Sequence, residues 1–500
     1  MARHPEEEAD SLLQVDDQHD AGVEKRTPLP WFQIWLILFL QLAEPLTSNV
    51  IYPFAPQLIR DVGVTHGDET QVGHYVGLMQ SLFFFGEALT VLHWARLSDH
   101  VGRKPVIMCG LLGISASMFS FGLSRTFIWL SISRFLNGAL NGNIGVMKSL
   151  LADITDSTNM ARVFACLPIV WSTGGTLGPL IGGALSRPSE RFPRLFGNST
   201  FLKEHPYFLP CAVPASFALC AVVVARIYLK ETIPFPQSVC QYVRLTKISS
   251  RSSNKPNVAV EDDEEKDAWV DDSALEKPIS FKRLLTFRVV IAASSYALLS
   301  LVEISFRSVQ PVFFSTPLEY GGLGLSPSTI GRLLSVFGIM NGVFQVMFFT
   351  RIIALLGPKR TFLIGVSFAF PVVASFPFMS FLARTYGLNF GLWVVVVVSM
   401  IISIGVSLAY GAIFIFIQTS APNKASLGSV NGLAQMSVSI MRAIGPATTN
   451  SLYSLSLEKH LMGGWFVYYI MTGLVVVALV VGAFLPTEVL PGARRVRGKA

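Results

Sequence analysis

Five hundred residues would ordinarily fold as several soluble domains, but 51% hydrophobic and only 14% charged residues leave too little polar surface for that class. A formal net charge of +7 would suit a nucleic-acid binder if the basic residues formed one dense patch; they sit instead in short loops between apolar runs, which excludes nucleic acid as a partner. What remains is a chain whose core lies in a lipid bilayer, where each helical crossing takes about 20 apolar residues.

Residues 1–30 are polar and acidic, as in Pro5-Glu6-Glu7-Glu8, and lack the basic start and short apolar core of a cleaved signal peptide. They are expected to form a disordered cytoplasmic N-terminus, with the first span retained as an anchor. Apolar runs bounded by charges and Gly/Pro turns then predict spans near residues 31–52, 72–94, 105–124, 127–149, 163–186 and 207–229. After a polar stretch the pattern resumes near residues 289–314, 329–350, 359–382, 390–417, 428–455 and 464–485. The predicted fold class is an all-α membrane protein of about twelve transmembrane helices, in two pseudo-symmetric six-helix bundles over residues 31–230 and 289–486. Between them, residues 231–288 hold Ser249, Ser250, Ser252 and Ser253 followed by Glu261-Asp262-Asp263-Glu264-Glu265, too polar to bury a core. That stretch reads as a solvated cytoplasmic linker, on whose serines added charge would offer regulation. Residues 487–500 read as a basic cytoplasmic tail.

Orientation follows from Lys and Arg in the short loops. Arg96, Arg103 and Lys104 follow the second span, Arg351, Lys359 and Arg360 the eighth, and Arg494, Arg495, Arg497 and Lys499 end the chain. All fall on one side when the spans alternate, which assigns that side, both termini and the linker to the cytoplasm. The loop after the fifth span runs against the trend with Arg187, Arg191, Arg194 and Lys203 on the other side. It also holds the sequon Asn198-Ser199-Thr200, and glycosylation at Asn198 requires that lumenal placement. The cysteines Cys109, Cys166, Cys211, Cys220 and Cys240 are scattered, without metal-ligand spacing, and read as packing residues.

The two halves resemble each other. Gly77-Leu-Met-Gln-Ser81-Leu-Phe83 in the second span returns as Gly331-Arg-Leu-Leu-Ser335-Val-Phe337 in the eighth. Gly102-Arg103-Lys104-Pro105 returns, scrambled, as Gly357-Pro358-Lys359-Arg360, and Gly178-Pro179 in the fifth span returns as Gly445-Pro446 in the eleventh. Matches at nearly one offset, each in the equivalent span, predict a duplicated unit of the kind transporters use.

The loop Ala95-Arg96-Leu97-Ser98-Asp99-His100-Val101-Gly102-Arg103-Lys104-Pro105 joins the second and third spans. A carboxylate at a helix end, beside a tight glycine turn and two cations, can form a charge-assisted latch across the ends of two bundles. The sequence here resembles the major facilitator superfamily, whose signature reads G-x-L-x-D-x-x-G-R-K/R. Asp99, Gly102, Arg103 and Lys104 match, while Ala95 stands where the first Gly would be and is still small enough for close helix approach. In the fourth span, Arg134-Phe-Leu-Asn-Gly138 is similar to that family's R-x-x-x-G element, and the resemblance implies a role for Arg134 in proton coupling. An arginine inside a span costs roughly 2.5 to 3.5 kcal/mol on insertion scales and should face the bundle interior, unless it snorkels to a helix end.

In the fifth span, Gly174, Gly178, Pro179, Gly182 and Gly183 resemble the family's G-x-x-x-G-P-x-x-G-G element, typical of its proton-coupled antiporters. Glycines at this spacing let helices touch backbone to backbone, and the proline frees a carbonyl and kinks the helix. Within the superfamily, Ala43-Glu44-Pro45-Leu46 through Tyr52-Pro53-Phe54, and Gly428-Ser-Val-Asn431-Gly432 through Arg442-Ala-Ile-Gly445-Pro446, resemble the twelve-span drug:proton antiporters, including fungal members and plant zinc-induced facilitator-like proteins.

Other ionisable residues in the spans are Glu44, Glu87, Glu303, Arg307, Arg332 and Arg442. A carboxylate in such surroundings can exchange a proton during a transport cycle. Glu44 and Glu303 fall in the first and seventh spans, equivalent helices where family members commonly line the cavity, and structural salt bridging is the alternative for both. Glu303 and Arg307 are four residues apart and share a helix face. Glu87 ranks lower, in a Phe-rich run.

No G-x-x-x-x-G-K-S/T loop is present, and Gly321-Gly322-Leu323-Gly324 lacks a dinucleotide-binding pattern, so neither a nucleotide nor a metal nor another cofactor is expected. The expectation is a monomeric, non-enzymatic secondary transporter of a small-molecule substrate in the plasma or vacuolar membrane. Protons are the expected coupling ion, driving efflux or sequestration. A proton-symport or facilitative importer, and a non-transporting sensor on the same scaffold, stay open as alternatives.

Overall fold

The computed structural model describes residues 29–155, 159, 163, 166–233, 284–422 and 426–487. The predicted N-terminal segment, nearly all of the linker, Cys240 and the basic tail lie outside them. Among the described residues the chain is helical throughout, with no strand. In chain order the helices are α1 (Trp31–Gln41), α2 (Ala43–Asn49), α3 (Ala55–Val62), α4 (Val72–Val101), α5 (Arg103–Leu123), α6 (Phe127–Ala139), α7 (Asn143–Asp153), α8 (Leu167–Leu185) and α9 (Phe208–Tyr228). The second half follows with α10 (Phe287–Ser315), α11 (Pro327–Leu356), α12 (Pro358–Ser367), α13 (Ala369–Tyr386), α14 (Phe390–Ser420), α15 (Leu427–Glu458) and α16 (Phe466–Ala483).

Among the described residues, eight helical stretches are each long and apolar enough to cross a membrane. Four more crossings are made by α1 with α2, by α6 with α7, by α8 and by α15. The first two are interrupted where continuous spans are predicted. Pro45 near the start of α2 has no N–H for the turn before it, and Pro53 stands in the gap before α3. The fourth crossing breaks at residues 140–142, where the orphaned Ala139 carbonyl accepts from Trp94 Nε1 at 2.8 Å and Thr90 Oγ1 at 2.8 Å. Several helix starts are fixed by local chemistry: Thr126, Thr286, Ser326 and Asn389 accept from the N–H of Trp129, Val289, Thr329 and Leu392. Some of the long helices run past the predicted spans by more than a turn, as α4 does to Val101 and α11 to Leu356, because hydropathy marks the hydrocarbon layer and not the polar turns beyond it.

Large apolar side chains such as Ile128, Val346 and Leu355 point outward, as a lipid-facing surface requires. The two halves pack chiefly through α4 on α15 and α8 on α11. These contacts explain the sequence repeats. Gly77 of α4 lies against the Pro446 carbonyl of α15, and Gly331 of α11 against the Pro179 carbonyl of α8. One turn on, Ser81 Oγ accepts from Ala447 N at 2.8 Å, and Ser335 Oγ donates to Thr176 O at 2.8 Å. Each copy's glycine-serine helix is thus seated on the other copy's proline helix.

The bilayer face reached by Ile233 and Leu284 is called the linker face below. At the opposite face the halves are bolted together. Arg60 of α3, held by Glu69 at 2.8 Å, donates to Ser315 Oγ at 2.7 Å and to the Ser315 carbonyl at 3.0 Å. His74 N donates to Ser454 Oγ at 2.9 Å and its ring Nδ1 meets Ser451 Oγ at 2.7 Å. On the same face Arg187 Nη2 reaches Asp61 Oδ1 at 2.5 Å, and the Tyr207 hydroxyl donates to Asp61 Oδ2. Burial, and then the Asp61 carboxylate, push the Tyr207 hydroxyl well above the usual phenol range.

Candidate functional site

The loop between α4 and α5 sits at the linker face. Gly102 is in a left-handed conformation, φ +114°, and a Cβ there would stand 2.6 Å from Glu231 Oε2. Its bareness lets the Glu231 carboxylate, at the end of the α9 crossing, accept from the N–H groups of Arg103 and Lys104 at 2.9 and 3.0 Å. A negative charge is thereby placed on the N-terminus of α5, where the helix dipole favours it. Arg103 bonds Asp99 at 2.7 Å, Ser98 at 3.0 Å and Asp153 at 3.1 Å, and Lys104 Nζ donates to the Arg226 carbonyl at 2.9 Å. In this conformation all of these partners of the predicted latch belong to its own half.

Charged residues from both halves gather at mid-span. Glu44 of α2 and Glu87 of α4 are both buried. Glu44 is within electrostatic reach of Glu87, of Lys148 in α7 and of Arg442 in α15. Arg442 also feels Glu303 and the hydroxyls of Tyr410 and Tyr296. Glu303 and Arg307 form an ion pair at 3.3 Å, and Tyr410 donates to the same carboxylate. Arg442 Nε donates to Ser300 Oγ at 3.1 Å. The Asn141 carboxamide faces Glu44, while Gln41, Gln80 and Asn143, each at most 2% exposed, have no partner on either polar atom of the carboxamide among the described residues. Such orphans, deep in a membrane protein, point to water or a bound solute.

Arg134 of α6 is 3% exposed and thus a buried cation, not a snorkelling one. It lies over the Phe83 ring at 4.6 Å, with Nε and Nη1 unpartnered. Tyr52 stands within electrostatic reach of Arg134 of the first half and of Arg307, Arg442 and Glu303 of the second. Arg332 falls outside the group, exposed near the opposite face and bonded to Thr329 at 3.3 Å.

The glycines of α8 serve two neighbours. Gly174, Gly178 and Gly182 lie against Pro45, Asn49 and the Val50 carbonyl of the first crossing, while Gly183 lies against Pro327 and Gly331 at the start of α11. One helix therefore touches both the wall of its own half and the partner half. Asn198 is exposed in the opposite-face loop, and Ser199 of its sequon accepts from Leu202 N at 3.3 Å. Among the described residues, no three His, Cys, Asp or Glu side chains are grouped to hold a metal ion.

Lys148, Tyr296, Tyr410 and the four carboxamides escape a sequence reading that tracks acids and arginines. Lys148 had a signal, a lone cation in the run from Gly145 to Leu151. The carboxamides and tyrosines had none, since nothing in their spacing separates a cavity wall from ordinary packing.

A family profile described as Major Facilitator Superfamily matches residues 37–446. The chain is 27% identical over 499 residues to the Aspergillus fumigatus protein named Major facilitator superfamily multidrug transporter mfsB, covering 88% of this chain and 81% of that protein. It is 28% identical over 503 residues to Protein ZINC INDUCED FACILITATOR 1 of Arabidopsis thaliana, covering 97% and 99%. The crystal structure of a D-xylose-proton symporter shares the fold with a TM-score of 0.64 at 15% identity, covering 91% of this chain and 97% of that one.

Proposed function

The chain belongs to the Major Facilitator Superfamily, and from that membership we propose a proton-coupled antiporter that exports or sequesters a small organic solute by alternating access. It is a multi-pass membrane transporter and not an enzyme. The observation that carries the antiport reading is the pair Glu44 and Glu87, buried carboxylates without an ion-pair partner among the described residues, at mid-span where both halves meet. A carboxylate kept from water without a fixed counter-charge is stable when it holds a proton or faces a cation. A solute that displaces that proton couples its own movement to the proton gradient.

In this reading the linker face, the motif loop and both chain ends are cytoplasmic, the protein is a monomer, and the membrane is plasma or vacuolar. The opposite-face bolts of Arg60 and His74 then hold a cytoplasm-facing state. When that seal opens, Asp99 and Arg103 close the cytoplasmic side against the second half, and Arg134, which keeps its charge, takes part in proton coupling through its field at Tyr52. The fungal multidrug transporter among its relatives supports efflux. The test is substrate-driven proton release from proteoliposomes under an imposed pH gradient. Release is expected from the parent protein, with E44Q lowering it by about 10-fold or more, as for other essential proton-transfer groups. Proton uptake together with the solute would replace antiport by symport.

A further inference from the structure

The charges of the mid-span site are unequally matched, and the mismatch describes a ligand. Glu303 and Arg307 satisfy each other, with Tyr410 on the same carboxylate. Glu44, Glu87, Lys148 and Arg442 take part in no ion pair among the described residues. Among the first-half groups that act on one another, Glu44 and Glu87 stand against Lys148 alone, Arg134 lying apart over Phe83, which leaves one negative charge in surplus there. In the second half, Arg442 leaves one positive charge in surplus. Its Nε is engaged by Ser300, so the outer edge of the guanidinium, the edge that grips an oxyanion through two parallel N–H bonds, is unengaged among the described residues. A proton can neutralise Glu44 or Glu87, but no proton movement discharges an arginine. Arg442 feels Glu303 and Glu87 but pairs with neither, so its outer edge is open to an anionic guest, and the unpartnered carboxamides of Gln41 and Gln80 suit the first-half side to a polar one.

We propose that the transported solute is zwitterionic, presenting an amine to Glu44 and Glu87 of the first half and a carboxylate or phosphate to Arg442 of the second. The inference rests on the antiport reading and deepens it. The ammonium group displaces the proton from the first-half carboxylates, while Arg442 keeps its charge through the cycle. Because the guest bridges the halves, binding draws them together, and because it is neutral overall, exchange for one proton moves one net charge across the membrane.

The experiment uses the full chain in proteoliposomes loaded with a pH-sensitive dye and sets of matched probes: tyramine, tyrosine and 4-hydroxyphenylacetate, then tryptamine, tryptophan and indole-3-acetate. Within each set only the charged groups differ. Proton release by the zwitterion, about 10-fold or more above its amine and its acid, is expected from one charge-assisted bond gained. R442Q should reverse that order in favour of the amine, with folding checked by thermal unfolding of the same preparation and the order restored in part by R442K. An amine or an acid that outperforms its zwitterion, no response to any probe, or an equal loss of all probes in R442Q overturns the inference. In the first of these outcomes the antiport reading stands. Zwitterion flux without proton release overturns antiport and leaves the charge assignment intact.

Discussion

At the scale of single residues, the site and the glycines obey the same steric logic. Each glycine that touches a backbone carbonyl does so because a Cβ would occupy the space of that oxygen, and Gly182 against Val50 is the tightest of the α8 series. A valine there has no flexible neighbour to push aside. G182V is expected to destabilise the protein by about 1–3 kcal/mol, the usual cost of overpacking, and to lower its unfolding temperature in detergent; an unchanged transition would show that the first crossing and α8 are not held at this distance. The same logic sorts the ionisable residues. Arg332 lies in a predicted span yet is exposed, whereas Arg134, two helical turns into α6, is buried under an aromatic ring. Sequence position set the type of residue, and packing set whether its charge meets the interior.

At the scale of elements, helix ends and helix breaks carry the specific interactions. Glu231 caps α5 from the far end of the six-helix half, so it ties the first residues of the linker to the motif loop, and Thr232 Oγ1 adds a bond to Asp153 at 3.0 Å. Replacing the carboxylate by a carboxamide keeps the shape and removes the charge at the helix N-terminus. E231Q is therefore expected to cost about 0.3–1 kcal/mol and to speed amide hydrogen exchange at Arg103 and Lys104, and equal protection in both proteins would refute the cap. At the α6–α7 break, Trp94 supplies a donor to the Ala139 carbonyl. W94F keeps the ring and loses the N–H; a loss of about 1 kcal/mol is expected, read from the thermal unfolding midpoint, with no shift if the break is held by sterics alone.

At the scale of the whole molecule, the halves are two copies of one unit, cross-seated through glycine on proline and sealed at the opposite face. Arg60 is the charged member of that seal: it joins α3 to the end of α10 and is braced by Glu69. With R60A the opposite face should open more often. A cysteine placed by S335C, on the α8–α11 contact, is expected to react several-fold faster with a membrane-impermeant thiol reagent added from that face. Equal rates in R60A and the parent would mean that the glycine contacts alone set the seal.

Much of the architecture was legible beforehand because a bilayer imposes a one-dimensional code: apolar length gives a crossing, and a repeated pattern gives a second bundle. Gly77 with Gly331, and Pro179 with Pro446, announced the duplication from sequence alone. Their cross-packing, each copy's glycine on the other copy's proline, needed the folded chain. The end of the first crossing near Pro53 was legible, but the break at residues 140–142 was passed over: Asn141-Gly142 is a turn signal lying between apolar runs, and only tertiary donors such as Trp94 make an interrupted helix affordable. The site divides in the same way. Its carboxylates and arginines could be named from their cost in lipid, but which of them pair is a matter of distances between helices far apart in the chain. Hydropathy is a sum over neighbours in sequence, whereas a counter-charge is a neighbour in space; the first fixed that this chain crosses the membrane, and the second decided that Glu303 pairs with Arg307 and Tyr410 while Glu44, Glu87 and Arg442 feel charges across the site but form no ion pair among the described residues.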